Sequence, residues 1–259
     1  MQDSIRVVIA LLRRDIKIMM QFLVDNIIDS MILVSFIYLM YGKLLPLMGI
    51  STAMVTPAFV GIFVIAMINV AYDRALKDSL DFENTRFIDY QITLPLSMRW
   101  LLIKYIISYV IDLFLASFPV LILGSLLFGT LLDISNANFP LFFLLYFLSM
   151  IIIGSLLFCV VVAKPFQWVI ENMWPRILLP LVALGALYYP WRPVSELMPI
   201  TSKLMLLLPT VSIVEGLRSA LTGNPLYLSA HWCGLAMLAF IVGIVSLIFW
   251  YMQKRIDPV

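Results

Sequence analysis

The sequence predicts an all-α integral membrane protein of about six transmembrane helices, with an N-terminal amphipathic interfacial helix and a re-entrant external helical pair before the last span. Three observations predict it. Hydrophobic residues make up 63% of the chain and charged residues 12%, with a mean hydropathy of +1.04, whereas a soluble domain needs about a quarter charged residues to coat its surface. Apolar runs recur at lengths that cross about 30 Å of hydrocarbon. Basic residues gather in alternate connections, the pattern that orients multi-pass proteins. The 259 residues leave room for a single transmembrane domain, residues 1–259, and for little outside it. A net charge of +2 is too small to point to nucleic acid, so the lipid bilayer is the partner that composition implies.

Residues 1–20 read as a helix lying in the membrane interface. Ile5, Val8, Ile9, Leu12, Ile16 and Met19 recur at helical spacing, while Arg6, Arg13 and Lys17 fall on another face, toward anionic headgroups. No uninterrupted apolar core with a small-residue cleavage site follows, so the segment is expected to stay on the protein. Spans are expected near residues 22–41, 53–72, 101–127, 139–162, 174–189 and 230–252. Arg6, Arg13, Arg14 and Lys17 precede the first, and Arg74, Lys77, Arg86, Arg99 and Lys104 lie between or beside the second and third. Lys164 and Arg176 flank the connection from fourth to fifth, and Lys254 and Arg255 follow the sixth. An even number of spans with both termini cytoplasmic gathers all four groups on one side. The fifth span is short and interrupted by Pro175, Pro180 and Pro190. Beyond it, residues 192–224 read as two short helices dipping back into the outer leaflet, the second opened by Pro209 and Thr210 and ended by Gly223.

The chain has no phosphate-cradling G-x-x-x-x-G-K-S/T loop and no H-E-x-x-H, and His231 is its one histidine. No cofactor or metal is therefore expected on it. Cys159 and Cys233 lie in apolar runs and read as buried free thiols. Asp25 and Asp29, one turn apart near the start of the first span, read as solvated carboxylates. Asp112 falls inside the third span, where an ionisable group is a functional candidate. It is either part of a proton or substrate path, or the partner of a polar group on a neighbouring span or subunit.

The connection over residues 73–98 mixes charges with Leu80, Phe82, Phe87, Ile88, Tyr90 and Ile92, more large apolar side chains than a solvated loop needs. Phe87, Ile88 and Tyr90, flanked by Arg86 and Asp89, would give a short helix a sticky face for a cytoplasmic partner. Alternatively they pack on the chain's own interfacial helix. Pro95 ends that piece, and Ser97 stands where it can cap the next helix.

Two stretches carry a family resemblance. TRFIDYQITLPLSMRWLLIKY, residues 85–105, is similar to the coupling helix, Leu-x-x-x-Pro-like turn and basic lead-in of type-2 ABC export permeases, the superfamily that includes polysaccharide, drug and lipid exporters. LLLPTVSIVEGLRSALTGNP, residues 206–225, resembles their external helix, in which a Pro-hydroxyl start is followed by Glu, Arg and a terminal Gly. The order of elements over nearly the whole chain agrees as well. The resemblance implies a half-transporter of the cell membrane, a bacterial inner membrane, that pairs with a second permease copy and binds separate ABC ATPase subunits through Glu83, Arg86, Phe87, Ile88, Asp89, Tyr90 and Gln91. ATP and Mg would then belong to the ATPase, and this chain would be no enzyme itself. It further implies export of an amphipathic, lipid-like or glycan substrate along the first and fifth spans, with Pro209, Thr210, Glu215 and Arg218 in the outer gate. At i, i+3 spacing Glu215 and Arg218 would pair on one helix face for roughly a few tenths of a kcal/mol. Two other readings stand beside this one. A membrane-embedded enzyme acting on lipid-linked substrates would need several acidic or histidine side chains converging at one depth, for which Asp25, Asp29, Asp112 and Glu171 are available, and an ion-coupled secondary carrier would use Asp112.

Overall fold

A computed structural model describes residues 2–49, 55–81, 97–129, 131–132, 134 and 136–256, and every regular element among them is helical. Helix α1, Gln2–Gln21, buries Val8 and Met19 and exposes Arg6, Arg13, Arg14 and Lys17, so it is amphipathic as its spacing predicts. The chain breaks at Phe22 and enters α2, Leu23–Leu47. α2 is α-helical to Ile37, passes through a π-helical stretch at Tyr38–Leu44 and regains α geometry at Leu45–Leu47. Pro46 explains the detour: it cannot donate to the carbonyl four residues back, and a wider turn reroutes the neighbouring bonds.

The other long helices are α3 (Val55–Leu80), α4 (Met98–Phe128), α5 (Phe139–Ala163) and, last in the chain, α11 (Ala230–Ile256). Together with α2 they make five helices long and apolar enough to cross a membrane. In their most apolar windows α3 and α5 are 78% and 72% buried, against 11% and 22% for α2 and α11. The first two are therefore the centre of the bundle and the others its rim. Phe63 of α3, Phe114 of α4, and Phe142 and Tyr146 of α5 wedge these three helices together, and the Tyr146 hydroxyl lies 2.8 Å from that of Ser117. The rings fill the core.

α3 runs about two turns beyond its expected end, so residues 73–80 of the expected connection are helix. The reason is that Arg74, with Asp78 beside it one turn on, meets partners on α1 and α4, as described below. The expected docking residues Glu83, Arg86, Phe87, Ile88, Asp89, Tyr90 and Gln91 lie outside the described residues. Ser97 takes the extended conformation of an N-cap (φ −70°, ψ 150°), but its side chain makes no capping hydrogen bond. Asn138 does cap α5, accepting from the Leu141 amide at 3.2 Å.

The expected fifth span, residues 174–189, is not one of the five long helices. It is built from α6 (Phe166–Met173), a π-helical stretch at Trp174–Leu178 and α7 (Leu179–Ala183), because Pro175 and Pro180 remove successive backbone donors. It nevertheless travels along α3. The Trp174 ring packs 5.6 Å from that of Tyr72, while Leu187 abuts Gly61 so closely that a Cβ there would stand 1.8 Å from the Leu187 carbonyl oxygen. Tyr72 and Gly61 are about 17 Å apart along α3, so the broken segment climbs that far with protein beside it, where irregular backbone is tolerated at membrane depth.

Three short helices follow: α8 (Trp191–Leu197), α9 (Pro199–Met205) and α10 (Pro209–Thr222). α9 and α10 meet at 93°. The N-terminal end of α10 sits against Ile68 of α3 and Ile152 and Ile153 of α5, half-way along both helices. Its C-terminal end returns to the start of α5, where the Asn138 amide donates to the Ala220 carbonyl at 2.8 Å. Gly223 (φ +63°) ends α10 in the left-handed conformation glycine favours. The pair is thus re-entrant, and α8 is an addition to the two helices expected.

Candidate functional site

Two polar nodes stand out, at opposite ends of α3. The far node is built on α10, whose residues are buried almost throughout. The Thr210 hydroxyl donates to the Leu181 carbonyl at 3.2 Å, tying the helix start to α7. Glu215 and Arg218 are both 0% exposed and pair at 3.1 Å. The Glu215 carboxylate also accepts the amides of Trp191 and Leu228. Arg218 spreads its remaining donors over the carbonyls of Pro57, Ala186, Leu187 and Tyr189 at 2.7–3.2 Å. Sequence spacing placed this pair on a helix face with little energetic weight. The structure instead makes it a buried and saturated junction that ties α10 to the start of α3 and to the broken segment, and breaking such a pair costs about 3–5 kcal/mol. Pro209, the remaining residue of the expected gate, opens α10.

The near node joins α1, α3 and α4. Asp15, 6% exposed, accepts from the Lys104 ammonium at 2.6 Å and the Ser108 hydroxyl at 2.9 Å, with Arg14 on its other oxygen at 2.9 Å. Arg74 donates to the Ser108 hydroxyl at 2.8 Å and to Asp112 at 3.2 Å, and stands 3.6 Å from Asp78. Its guanidinium carbon lies 4.9 Å from the centre of the Tyr109 ring. Burial pushes the Asp15 carboxyl up, but the Lys104 charge and the hydrogen bonds from Lys104, Arg14 and Ser108 outweigh it and hold the group below the usual carboxylate range. A cavity of about 190 Å³ opens among Asp15, Arg74, Lys77, Asp78, Lys104 and Asp112.

Asp112, singled out by its place within a span, is therefore ion-paired with Arg74. Asp25 and Asp29 are exposed on α2, as is Glu171 on α6. Cys159 and Cys233 are free thiols, the second buried, and His231 is exposed. Sequence reasoning missed Asp15 and Ser108 and counted Arg74 and Lys104 only as topological markers. A signal was present. Asp15 shares the helical stripe of Val8, Leu12 and Met19, and Lys104, Ser108 and Asp112 form a ladder at four-residue steps facing Arg74 and Asp78.

Among the described residues no group of three or more His, Cys, Asp or Glu side chains is placed to hold a metal ion. The near node fastens α1 to α3 and α4 through charge. No protein-family model, curated protein or solved structure matches the chain. Composition and fold establish a multi-pass, all-α membrane protein.

Proposed function

We propose that the chain is the membrane-spanning permease subunit of an ATP-driven exporter of the type-2 ABC class, acting with a second permease copy and separate ATPase subunits, which bind the ATP and Mg. On this reading both termini face the cytoplasm, and an amphipathic, lipid-like or glycan substrate leaves the cell. The observation that carries it is the re-entrant α9–α10 pair, fixed to the start of α3 and placed directly before the last span, in a chain that opens with an amphipathic interfacial helix.

The near node supplies a physical route for coupling. Residues 82–96 connect α3 to α4, and those two helices are cross-linked close to that connection by Arg74 with Ser108 and Asp112. Lys104 and Asp15 add α1 to the same block. A motor protein gripping residues 83–91 would therefore move three helices together, and α3 would deliver the displacement to Arg218 at its other end. Packed elements linked in this way shift between discrete arrangements as rigid bodies.

Affinity purification of the full chain from its native membrane tests the proposal. The expected result is stoichiometric recovery of a separately encoded ATPase, lost on Phe87→Asp or Ile88→Asp while the permease still elutes as a folded species. Recovery of no ATPase from the native membrane, or capture and export unaffected by both substitutions, would overturn it.

A further inference from the structure

A second and larger cavity, about 590 Å³, lies between α2 and α3 and reaches Ala116 of α4. It adjoins the near-node cavity, and both are lined by Asn26, Val70 and Asp73. Its volume is that of a small-molecule pocket, and its walls are two-faced. Asn26 and Asp29 of α2 confront Asn69 and Asp73 of α3 toward the α1 side, and Leu33 and Phe36 line the part deeper in the membrane. Carboxylates and amides within apolar spans are costly in lipid and mark ligand paths by default.

The charge of this groove is one-sided. Asp29 and Asp73 are exposed and near enough to feel each other's charge. Lys77, one turn along α3, attracts the Asp73 carboxylate more strongly than Asp29 repels it, but it does not line the groove, and its ammonium lies 4.7 Å from the centroid of the Phe22 ring. Arg74 is engaged on the other side by Ser108 and Asp112. Among the described residues the groove is lined by two carboxylates and no basic side chain, and such a pair opening onto an apolar slot complements a positive charge carried on a greasy body.

We infer that the α2–α3 groove binds a lipophilic cation, with Asp29 and Asp73 holding the charge, Asn26 and Asn69 bonding polar groups beside it, and Leu33 and Phe36 packing on the apolar part. As the cargo class of the exporter proposed above this rests on that reading; as a binding site it stands alone.

The test is equilibrium binding of radiolabelled tetraphenylphosphonium to the full chain in phosphatidylcholine nanodiscs, without ATPase. Saturable binding is expected, weakened about tenfold by Asp29→Asn or by Asp73→Asn and abolished by both together. Glu171→Gln, on α6 away from the groove, should bind as the parent does. Uncharged triphenylphosphine oxide should not compete. Ala66→Phe, which fills the groove while leaving both carboxylates in place, should also remove binding. Parent-like affinity in the double Asn variant, equal competition by the uncharged analogue, or no saturable binding at all would overturn the inference, the last also if a second copy of the chain crosslinks into the groove through Leu33 and Val70. Because the assay contains no motor, its failure leaves the exporter reading standing, and failure to recover an ATPase leaves the binding site standing.

Discussion

Asp15 shows how much a single side chain on an amphipathic helix can decide. It sits where a Leu would complete the apolar stripe of α1, and its charge is compensated by Lys104 at 2.6 Å. Since its folded pKa is depressed, the stabilisation it provides is present above the unfolded value and lost as pH falls through the folded one. The attachment of α1 should therefore be insensitive to this group between about pH 7 and 5 and loosen below about pH 4. A fluorophore on α1 reporting release from α4 would follow this, and Asp15→Asn should be loosened at every pH and lose the acid step. Replacing Asp15 by Ala strands a buried ammonium and is expected to cost about 3–5 kcal/mol, with Lys104→Met in the double variant restoring most of the loss in thermal stability. The sequence gives Asp112 away, since a carboxylate between Ile111 and Leu113 is conspicuous in a span. Asp15 is harder to see because a charged residue in an interfacial helix is ordinary, and only the position of α4 makes it buried.

Among the elements, prolines decide where regular helix stops. The π-helical stretches at Tyr38–Leu44 and Trp174–Leu178 each precede a proline, Pro46 and Pro180, and that much is readable from residue order. What cannot be read is that α6, the π-helical stretch and α7 still climb along α3, because the contact that allows it involves one glycine and a carbonyl 126 residues later, Gly61 and Leu187. Gly61→Ala is accordingly expected to force the broken segment off α3 and to lower the melting temperature of the purified chain sharply. Gly243, with no atom within 4 Å of its added Cβ, should accept Ala without harm and gain roughly 0.5–1 kcal/mol of helix propensity. Equal effects at the two sites would refute the close-approach argument. The extension of α3 past residue 72 was likewise hidden: Arg74, Lys77 and Asp78 resemble a solvated connection until the partners of Arg74 on α1 and α4 are known.

Across the molecule as a whole, α3 carries both nodes, with Arg74 and Asp78 near one end and the Pro57 carbonyl near the other. Five of the expected crossings and the amphipathic start were legible because bilayer thickness and the helical period impose them on any sequence. The far junction was legible only as an i, i+3 pair, since its acceptors lie between 29 and 161 residues from Arg218. Arg218→Met should leave Glu215 buried without its cation and four carbonyls without their donor. A loss of about 3–5 kcal/mol is expected, seen as early aggregation on heating, with Glu215→Gln milder because an amide oxygen still accepts from Trp191 or Leu228. A melting temperature unchanged by Arg218→Met would show that the junction contributes little. The same bond has a consequence for biosynthesis. The Pro57 carbonyl enters the bilayer 161 residues before the guanidinium that will bind it is translated, so the ribosome delivers a half-secured α3 that insertion machinery or lipid must shelter until α10 arrives. Nascent chains stalled short of Arg218 should be the protease-sensitive ones.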